Sequence, residues 1–300
     1  MEKNESLGYF LGFVGVLAFS LTLPATRVAV TVMPPAMVGL GRALVAAAAA
    51  ALFLAVLRPR RPRGRQWASL AVVAAGVVFG FPFLSAWAMQ QLPSSHGAIV
   101  LALLPLATAL FGALRGGERP SMAFWLVSIL GSLVVIAFAL SRGAGSLQLA
   151  DLALVAAVLS ASLGYAEGAR LTQSLGGWQV ISWALVLSCP LLLPPVLLTF
   201  DQVPWSQLDW RIWLSFLYVA LVSQYLAFFA WYLGMALGGV AKVGQLQLLQ
   251  TFLTLGFSWL LLGEVIDLET LLFALAVFIC VAWSKQLKVT RPTAPPHSQR

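Results

Sequence analysis

The chain has 300 residues, of which 60% are hydrophobic and 9% are charged, and its mean hydropathy is +0.91. Soluble domains carry about 25% charged residues, so this composition excludes a soluble globular protein and predicts an exterior that faces lipid. The formal net charge of +8 does not indicate nucleic-acid binding, because most Lys and Arg residues lie in short gaps between apolar runs, as juxtamembrane cations do.

Apolar runs follow one another along almost the whole chain. A hydrocarbon core of about 30 Å requires roughly 20 helical residues, and backbone groups in lipid must be satisfied within the helix. Breakers and charges divide the sequence into ten runs. The sequence therefore predicts an all-α polytopic membrane protein with ten transmembrane helices, at residues 8–30, 36–57, 68–89, 95–114, 121–140, 150–171, 178–198, 211–235, 241–262 and 268–284.

The cations orient these helices, because cytoplasmic loops carry the excess of Lys and Arg. With the N-terminus inside, 14 of the 18 cations fall on the cytoplasmic side, three fall outside (Arg27, Arg142 and Arg211) and Arg42 lies within a helix. We predict an integral protein of the bacterial inner membrane with both termini in the cytoplasm.

An internal repeat is visible at a shift of 146 residues. Five residues of the fourth predicted helix and its end recur in the ninth: Leu103, Thr108, Leu114, Gly117 and Glu118 match Leu249, Thr254, Leu260, Gly263 and Glu264. Five helices per repeat is an odd number, so the halves enter the membrane in opposite directions. Such inverted repeats place a substrate site near the bilayer midplane and permit alternating access. We predict a first repeat at 1–145, a second at 146–288, and a disordered cytoplasmic tail at 289–300.

Three stretches in the first half resemble one transporter family. These are residues 19–27 (FSLTLPATR), 33–35 (MPP) and 41–44 (GRAL), and the family's closing motif is similar to Pro105 with Gly117-Glu118 and to Thr251 with Gly263-Glu264. The family is the EamA-type drug/metabolite transporters, and the similarity extends to its aromatic amino-acid exporters. The resemblance implies ten helices in two inverted halves around a central cavity.

The sequence offers little for soluble-enzyme chemistry. No Gly-rich stretch ends in Gly-Lys-Ser/Thr, so ATP binding by a P-loop is excluded, and two histidines do not supply a His-rich zinc spacing. We predict that the chain is no enzyme, with no catalytic residue, metal or cofactor. Its predicted partners are a small-molecule substrate and the bilayer. Proton coupling, passive movement down gradients and the oligomeric state stay open.

Ionisable residues inside the membrane are costly and indicate functional sites. Four occur: Arg42, His96, Glu167 and Lys242. We take the last three as candidates for the substrate cavity, although Glu167 could form a local ion pair with Arg170, His96 could cap helix four, and Lys242 could extend to the cytoplasmic face. Arg42 is interpreted as structural, because arginine is common at that place in the family the chain resembles.

Polar and aromatic stripes supply the other candidates. At 100° per residue, one arc of helix nine carries Gln247, Gln250, Thr251 and Thr254, which must turn away from lipid and either line a cavity or bond to other helices. Aromatic faces on helices three and eight could line the cavity or pack. Their candidates are Phe83, Trp87, Gln90, Tyr225 and Tyr232.

These features together predict a function. We expect an exporter of amino acids, with aromatic or other apolar side chains, or of similar small metabolites, that works by alternating access. The alternatives are a multidrug or nucleoside-type exporter of the same fold, a channel, and a membrane-embedded lipid enzyme.

Overall fold

A computed structural model of the protein describes residues 2–117, 119–142, 148–287 and 289–290. In this part of the chain, eight helices are long and apolar enough to cross a bilayer, and two further apolar helices have 21 and 19 residues. In chain order the helices are α1 Glu5–Ala29, α2 Met37–Leu57, α3 Arg65–Gln91, α4 Ser94–Arg115, α5 Met122–Arg142, α6 Leu149–Leu175, α7 Gly177–Phe200, α8 Trp210–Gly238, α9 Val240–Leu262 and α10 Leu268–Gln286. The helical membrane class is confirmed, while the inverted repeats stay a prediction.

Several of these helices are locally irregular. Turns interrupt α1 at Leu21, α4 at residues 102–103 and α9 at residues 245–246. Three segments are π-helical, with i→i+5 hydrogen bonds that are common at functional sites. They are Met37–Gly41 in α2, Ala74–Gly80 in α3 and Tyr218–Leu226 in α8.

The helices pack in matching pairs. The most extensive contact is between α1 and α8, and the helices at the corresponding places in the other half, α6 and α3, also pack together. Helix α2 packs against α7, and α5 packs against α10. The α1–α8 and α6–α3 contacts are the ones that the predicted repeat would relate to each other.

Small residues allow the two closest of these contacts. A side chain at Gly8 would meet the backbone of Gly238 in α8, and one at Gly76 in α3 would meet the backbone of Ser160 in α6. Small residues let membrane helices approach closely in this way.

The two ends of the bundle are fixed by contacts between loops and helix ends. At one end the strands β1 (Arg119–Pro120) and β2 (Val289–Thr290) pair antiparallel, which holds the start of α5 beside the end of α10. We call this the Lys242 end, after the residue near the start of α9, and the opposite end the His96 end. Glu118 and residues 291–300 of the predicted tail lie outside the described residues.

Candidate functional site

The π-helical segments of α3 and α8 border a small cavity between the helices, together with Arg42, which directly follows the π-helical segment of α2. Its lining comes from helices of both halves, α1, α2 and α3 on one side and α6 and α8 on the other: Phe19, Arg42, Val77, Phe81, Ala161, Tyr165, Ser223, Gln224 and Phe228. The cavity volume is about 10 Å³, which is roughly the space of one water molecule. In the described conformation the cavity therefore has room for no ligand larger than a water molecule.

Arg42 is the charged residue of this lining. It directly follows the π-helical segment of α2 and is only 1% exposed. Its Nε and Nη1 atoms are buried without a hydrogen-bond partner. Buried N–H groups of a cation without acceptors are unfavourable, so an anionic group at this place would be stabilising.

Aromatic rings surround the same space. The Phe19 ring stands edge-on to the Phe228 ring at 5.1 Å between centroids and stacks on Tyr165 at 6.2 Å. Tyr165 and Phe228 are 6.0 Å apart, and Trp231 closes the group against Tyr165 at 5.5 Å. These rings join α1, α6 and α8 around an apolar wall.

Two buried hydrogen bonds tie α8 to the first half beside the cavity. The Gln224 Nε2 atom donates to the Val77 carbonyl at 2.8 Å, which links the π-helical segments of α8 and α3. The hydroxyls of Ser223 and Thr22 lie 2.8 Å apart. Separation of α8 from α1 and α3 at this place would break these contacts.

A buried polar cluster closes the His96 end. His96 Nε2 lies 2.6 Å from the Asp151 carboxylate, and both side chains are almost fully buried. The Glu264 carboxylate accepts the backbone N–H groups of Ser94 and Ser95 at 2.9 and 2.8 Å, and so caps α4 from the end of α9. Helix starts favour such an acceptor.

The Lys242 end carries more exposed charges. Lys242 Nζ lies 2.7 Å from the Glu5 carboxylate, with side-chain exposures of 47% and 38%. Nearby, the Glu167 carboxylate accepts from Arg170 at 2.5 Å, and Arg170 also donates to the Ser69 hydroxyl. A cleft of about 460 Å³ borders this second group, in which the Arg170 side chain is 48% exposed and the Glu167 side chain 1%.

The two ion pairs occupy matching sequence positions. Residues 5 and 151 differ by 146, and so do residues 96 and 242. Glu5–Lys242 therefore corresponds to Asp151–His96. The same shift relates Gly117 to Gly263, which end α4 and α9 with φ angles of 69° and 65°, the left-handed conformation that favours glycine after a helix.

The polar arc of α9 is buried and contacts other helices. All four predicted residues are at most 5% exposed: Gln247, Gln250, Thr251 and Thr254. Thr108 of α4 donates to the Gln247 side chain at 3.3 Å, and Thr254 donates to the Ser20 carbonyl of α1 at 2.9 Å. The arc therefore faces α1 and α4, and none of its members belongs to the central lining.

The predicted aromatic candidates also lie outside that lining. Tyr225 is buried with its hydroxyl 2.8 Å from the Ser182 hydroxyl, and Tyr232 donates to the Gly164 carbonyl at 3.3 Å. The three candidates of α3 are at least partly exposed: Phe83, Trp87 and Gln90. Of the predicted ionisable residues, His96, Glu167 and Lys242 each form an ion pair near a bundle end.

The sequence interpretation missed the central residues for a physical reason. Arg42 stood out as an intramembrane charge, but nothing in the sequence indicated that it lacks a partner. Gln224 and Ser223 lie in a π-helical segment, where each turn holds more residues than in an α-helix. The sequence interpretation chose the aromatic face of helix eight, which carries Tyr225, and did not consider Gln224 on the adjoining face. Among the described residues, no group of three His, Cys, Asp or Glu side chains could hold a metal ion.

Comparison with known proteins finds similar proteins over most of the chain. The profile of the EamA-like transporter family matches twice, at residues 6–140 and 148–284. "Uncharacterized transporter YdeK" of Bacillus subtilis is 48% identical over 288 residues, which are 95% of this chain and 99% of that protein. "Probable terminal-alkyne amino-acid exporter" of Streptantibioticus cattleyicolor is 26% identical, over 83% of this chain and 84% of that protein.

A solved crystal structure shares the fold. It superposes with a TM-score of 0.68 at 21% identity and covers 94% of this chain and 97% of its own. The family and both named relatives are transporters rather than enzymes.

Proposed function

The chain belongs to the EamA-like transporter family, and from this premise we propose that it exports amino acids with apolar or aromatic side chains across the bacterial cytoplasmic membrane. It is an integral multi-pass membrane protein whose substrate is a small molecule. The proposed orientation has both termini and the Lys242 end in the cytoplasm, because 14 of the 18 cations then lie inside.

The proposed architecture is two inverted five-helix repeats, α1–α5 and α6–α10. The two family matches divide the chain at residues 140 and 148. The pairing of α1 with α8 and of α6 with α3 is what a two-fold axis between the halves requires. Corresponding ion pairs at opposite ends of the bundle, Glu5–Lys242 and Asp151–His96, support an axis in the membrane plane.

The observation that carries the transport mechanism is the central cavity. It lies between helices of both halves and away from both ion pairs, where inverted-repeat transporters bind substrate. Rocking of the halves would open the cavity first to one end and then to the other. Its small volume fits a closed form between those two states.

The proposal of an amino-acid substrate has two supports. One relative, at 26% identity, is named as an amino-acid exporter. The cavity itself combines a buried cation and two polar side chains with four aromatic residues, Phe19, Phe81, Tyr165 and Phe228. Such a lining suits an ionised headgroup and an apolar side chain on one small molecule.

Proteoliposome flux tests this function. The purified chain should release preloaded phenylalanine, tyrosine or leucine faster than protein-free vesicles, and saturably. Flux of nucleosides or lipophilic cations without any amino-acid flux would contradict the proposal and support the multidrug alternative. Single-channel currents in planar bilayers would contradict a carrier mechanism.

A pair of leucine variants tests whether flux depends on the contact between α3 and α6. Gly76→Leu would push a side chain into the backbone of Ser160 and Gly164, at the contact between the halves. We expect it to reduce flux strongly, whereas leucine at Gly256, where no neighbouring atom lies within 4 Å, should leave flux near the wild-type rate.

A further inference from the structure

We propose that Arg42 binds the substrate carboxylate, so that the central cavity selects carboxylates with an apolar side chain over the corresponding amines. This inference rests on the proposed transport function. The inference goes beyond that function because it assigns one group of the substrate to one residue of the cavity.

The first step is that Arg42 has no anion among the described side chains. The buried carboxylates have other partners: Asp151 lies against His96, and Glu167 lies against Arg170. The Glu264 carboxylate caps α4 at the His96 end. No hydrogen bond or ion pair of Arg42 is found with any of them, although its Nε and Nη1 atoms are buried.

The second step is that burial of such a cation in a transmembrane helix is unfavourable in free energy. Charged side chains within transmembrane helices are rare, and they pair with one another or mark a substrate path. A methionine or leucine would fill the same space in α2 without an unsatisfied guanidinium. Arg42 therefore carries a cost in the closed form that an incoming anion would remove.

The third step is geometric. The guanidinium presents planar, paired N–H groups that match the two oxygens of a carboxylate. The two edges that can bind a carboxylate are formed by Nε with Nη2 and by Nη1 with Nη2. Nε and Nη1 are both buried without an acceptor, so each edge has at least one N–H group that an anion could satisfy. Arg42 borders the cavity together with the Phe19, Tyr165 and Phe228 rings. A carboxylate at Arg42 would therefore place an attached apolar side chain among these rings.

The cavity must enlarge to admit such a ligand, because its volume is about 10 Å³. The hydrogen bond from Gln224 to the Val77 carbonyl joins the two π-helical segments that border it. Separation of these segments would open the space and free the Gln224 amide. Ser223 and Gln224 then offer oxygen atoms to a substrate ammonium group.

Three probes distinguish the contribution of the carboxylate to binding from those of the amine and the phenyl ring. They are L-phenylalanine, 3-phenylpropanoate, which lacks the amine, and phenethylamine, which lacks the carboxylate. Their binding is measured calorimetrically on the purified full-length protein in nanodiscs. We expect wild-type protein to bind both carboxylates at least tenfold more tightly than phenethylamine.

Arg42→Gln tests the assigned residue. It should weaken binding of both carboxylates roughly 10- to 100-fold, the usual effect of losing a charged hydrogen bond, and leave phenethylamine within twofold. Arg42→Lys should retain part of the preference. Arg27→Gln is the matched control. Arg27 donates to the Met89 carbonyl near the His96 end and does not line the cavity. Its replacement should therefore not change the ratio of dissociation constants between phenethylamine and the two carboxylates.

Each outcome decides the inference. Equal carboxylate binding by wild type and a folded Arg42→Gln variant would overturn it and leave Arg42 structural, while amino-acid flux would still support the proposed function. If neither Arg42 variant folds, the inference is tested by the wild-type dissociation constants for phenethylamine and phenylalanine. Phenethylamine binding as tightly as phenylalanine would overturn it. Absence of amino-acid flux in the proteoliposome test would instead contradict the proposed function.

Discussion

The ion pairs at the two ends of the bundle occupy matching positions but lie in different surroundings. At the His96 end, His96 and Asp151 are 8% and 4% exposed, and the Phe138 ring lies 5.1 Å from the imidazole ring. At the Lys242 end, Lys242 and Glu5 are 47% and 38% exposed. The N···O distances are nearly equal, at 2.6 and 2.7 Å, so distance alone does not distinguish them.

The difference in burial predicts different strengths. An exposed ion pair contributes about 0–1 kcal/mol, because water screens it. Removing one member of a buried pair leaves the other unsatisfied and is much more costly. The His96 end also has the cap that Glu264 gives to Ser94 and Ser95. We therefore expect that the described conformation holds its His96 end more firmly than its Lys242 end.

The largest expected effect concerns which end faces the cytoplasm. In a variant without Cys189 and Cys280, a cysteine at Ser206, between α7 and α8, should react with an impermeant thiol reagent added to intact cells. A cysteine at Gly64, before α3, should react only after the cells are permeabilised. The reverse pattern would exchange the two ends and contradict the proposed orientation.

The next largest effect is expected at the buried pair. Asp151→Ala should lower the free energy of unfolding in mixed micelles by about 1.5–3 kcal/mol, because it leaves His96 without its carboxylate and removes the acceptor of the Gln148 N–H. Asp201→Asn is the control at the same end. Asp201 is exposed, so its replacement should change stability by less than about 0.5 kcal/mol.

Thiol labelling shows whether that loss opens the His96 end. Thr270 is 4% exposed and lines the cleft beside His96. A cysteine there, again without the two native cysteines, should react faster in the Asp151→Ala background than with Asp151 present. An unchanged rate together with lower stability would mean that the pair stabilises the fold without holding this end closed.

How far the sequence predicts these regions depends on the range of the interaction. Lipid thickness and backbone satisfaction act locally, so the predicted run 36–57 matches Met37–Leu57 and the run 241–262 matches Val240–Leu262. The same constraint predicted that the amides of Gln247 and Gln250 turn inward, as their burial shows. Whether they contact substrate stays a prediction.

The partners of the charged residues were beyond such local reasoning. Lys242 and Glu5 are 237 residues apart, and His96 and Asp151 are 55 apart. Only the packing of α9 beside α1, and of α4 beside α6, brings them together. The missing partner of Arg42 is likewise a property of the whole bundle, because it depends on where every other carboxylate lies.

A smaller effect is expected from the cap at the His96 end. Glu264→Ala removes both acceptors of Ser94 and Ser95, whereas Glu264→Gln keeps one carboxamide oxygen. We expect losses of about 1–2 kcal/mol for alanine and about half of that for glutamine, in the range of helix N-cap substitutions. Hydrogen exchange of the Ser94 and Ser95 amides should rise in the same order. Equal exchange in both variants would contradict the capping role.

The smallest effect is expected at the exposed pair. A double-mutant cycle with Glu5→Gln and Lys242→Gln should give a coupling energy below about 1 kcal/mol. Because both side chains are partly exposed, salt should screen their attraction, and the coupling should fall further between 50 mM and 500 mM NaCl. The matching cycle with Asp151→Asn and His96→Gln should give a larger coupling that changes little with salt. Equal couplings with equal salt dependence would mean that burial does not separate the two ends, and the comparison between them would then rest on the Glu264 cap alone.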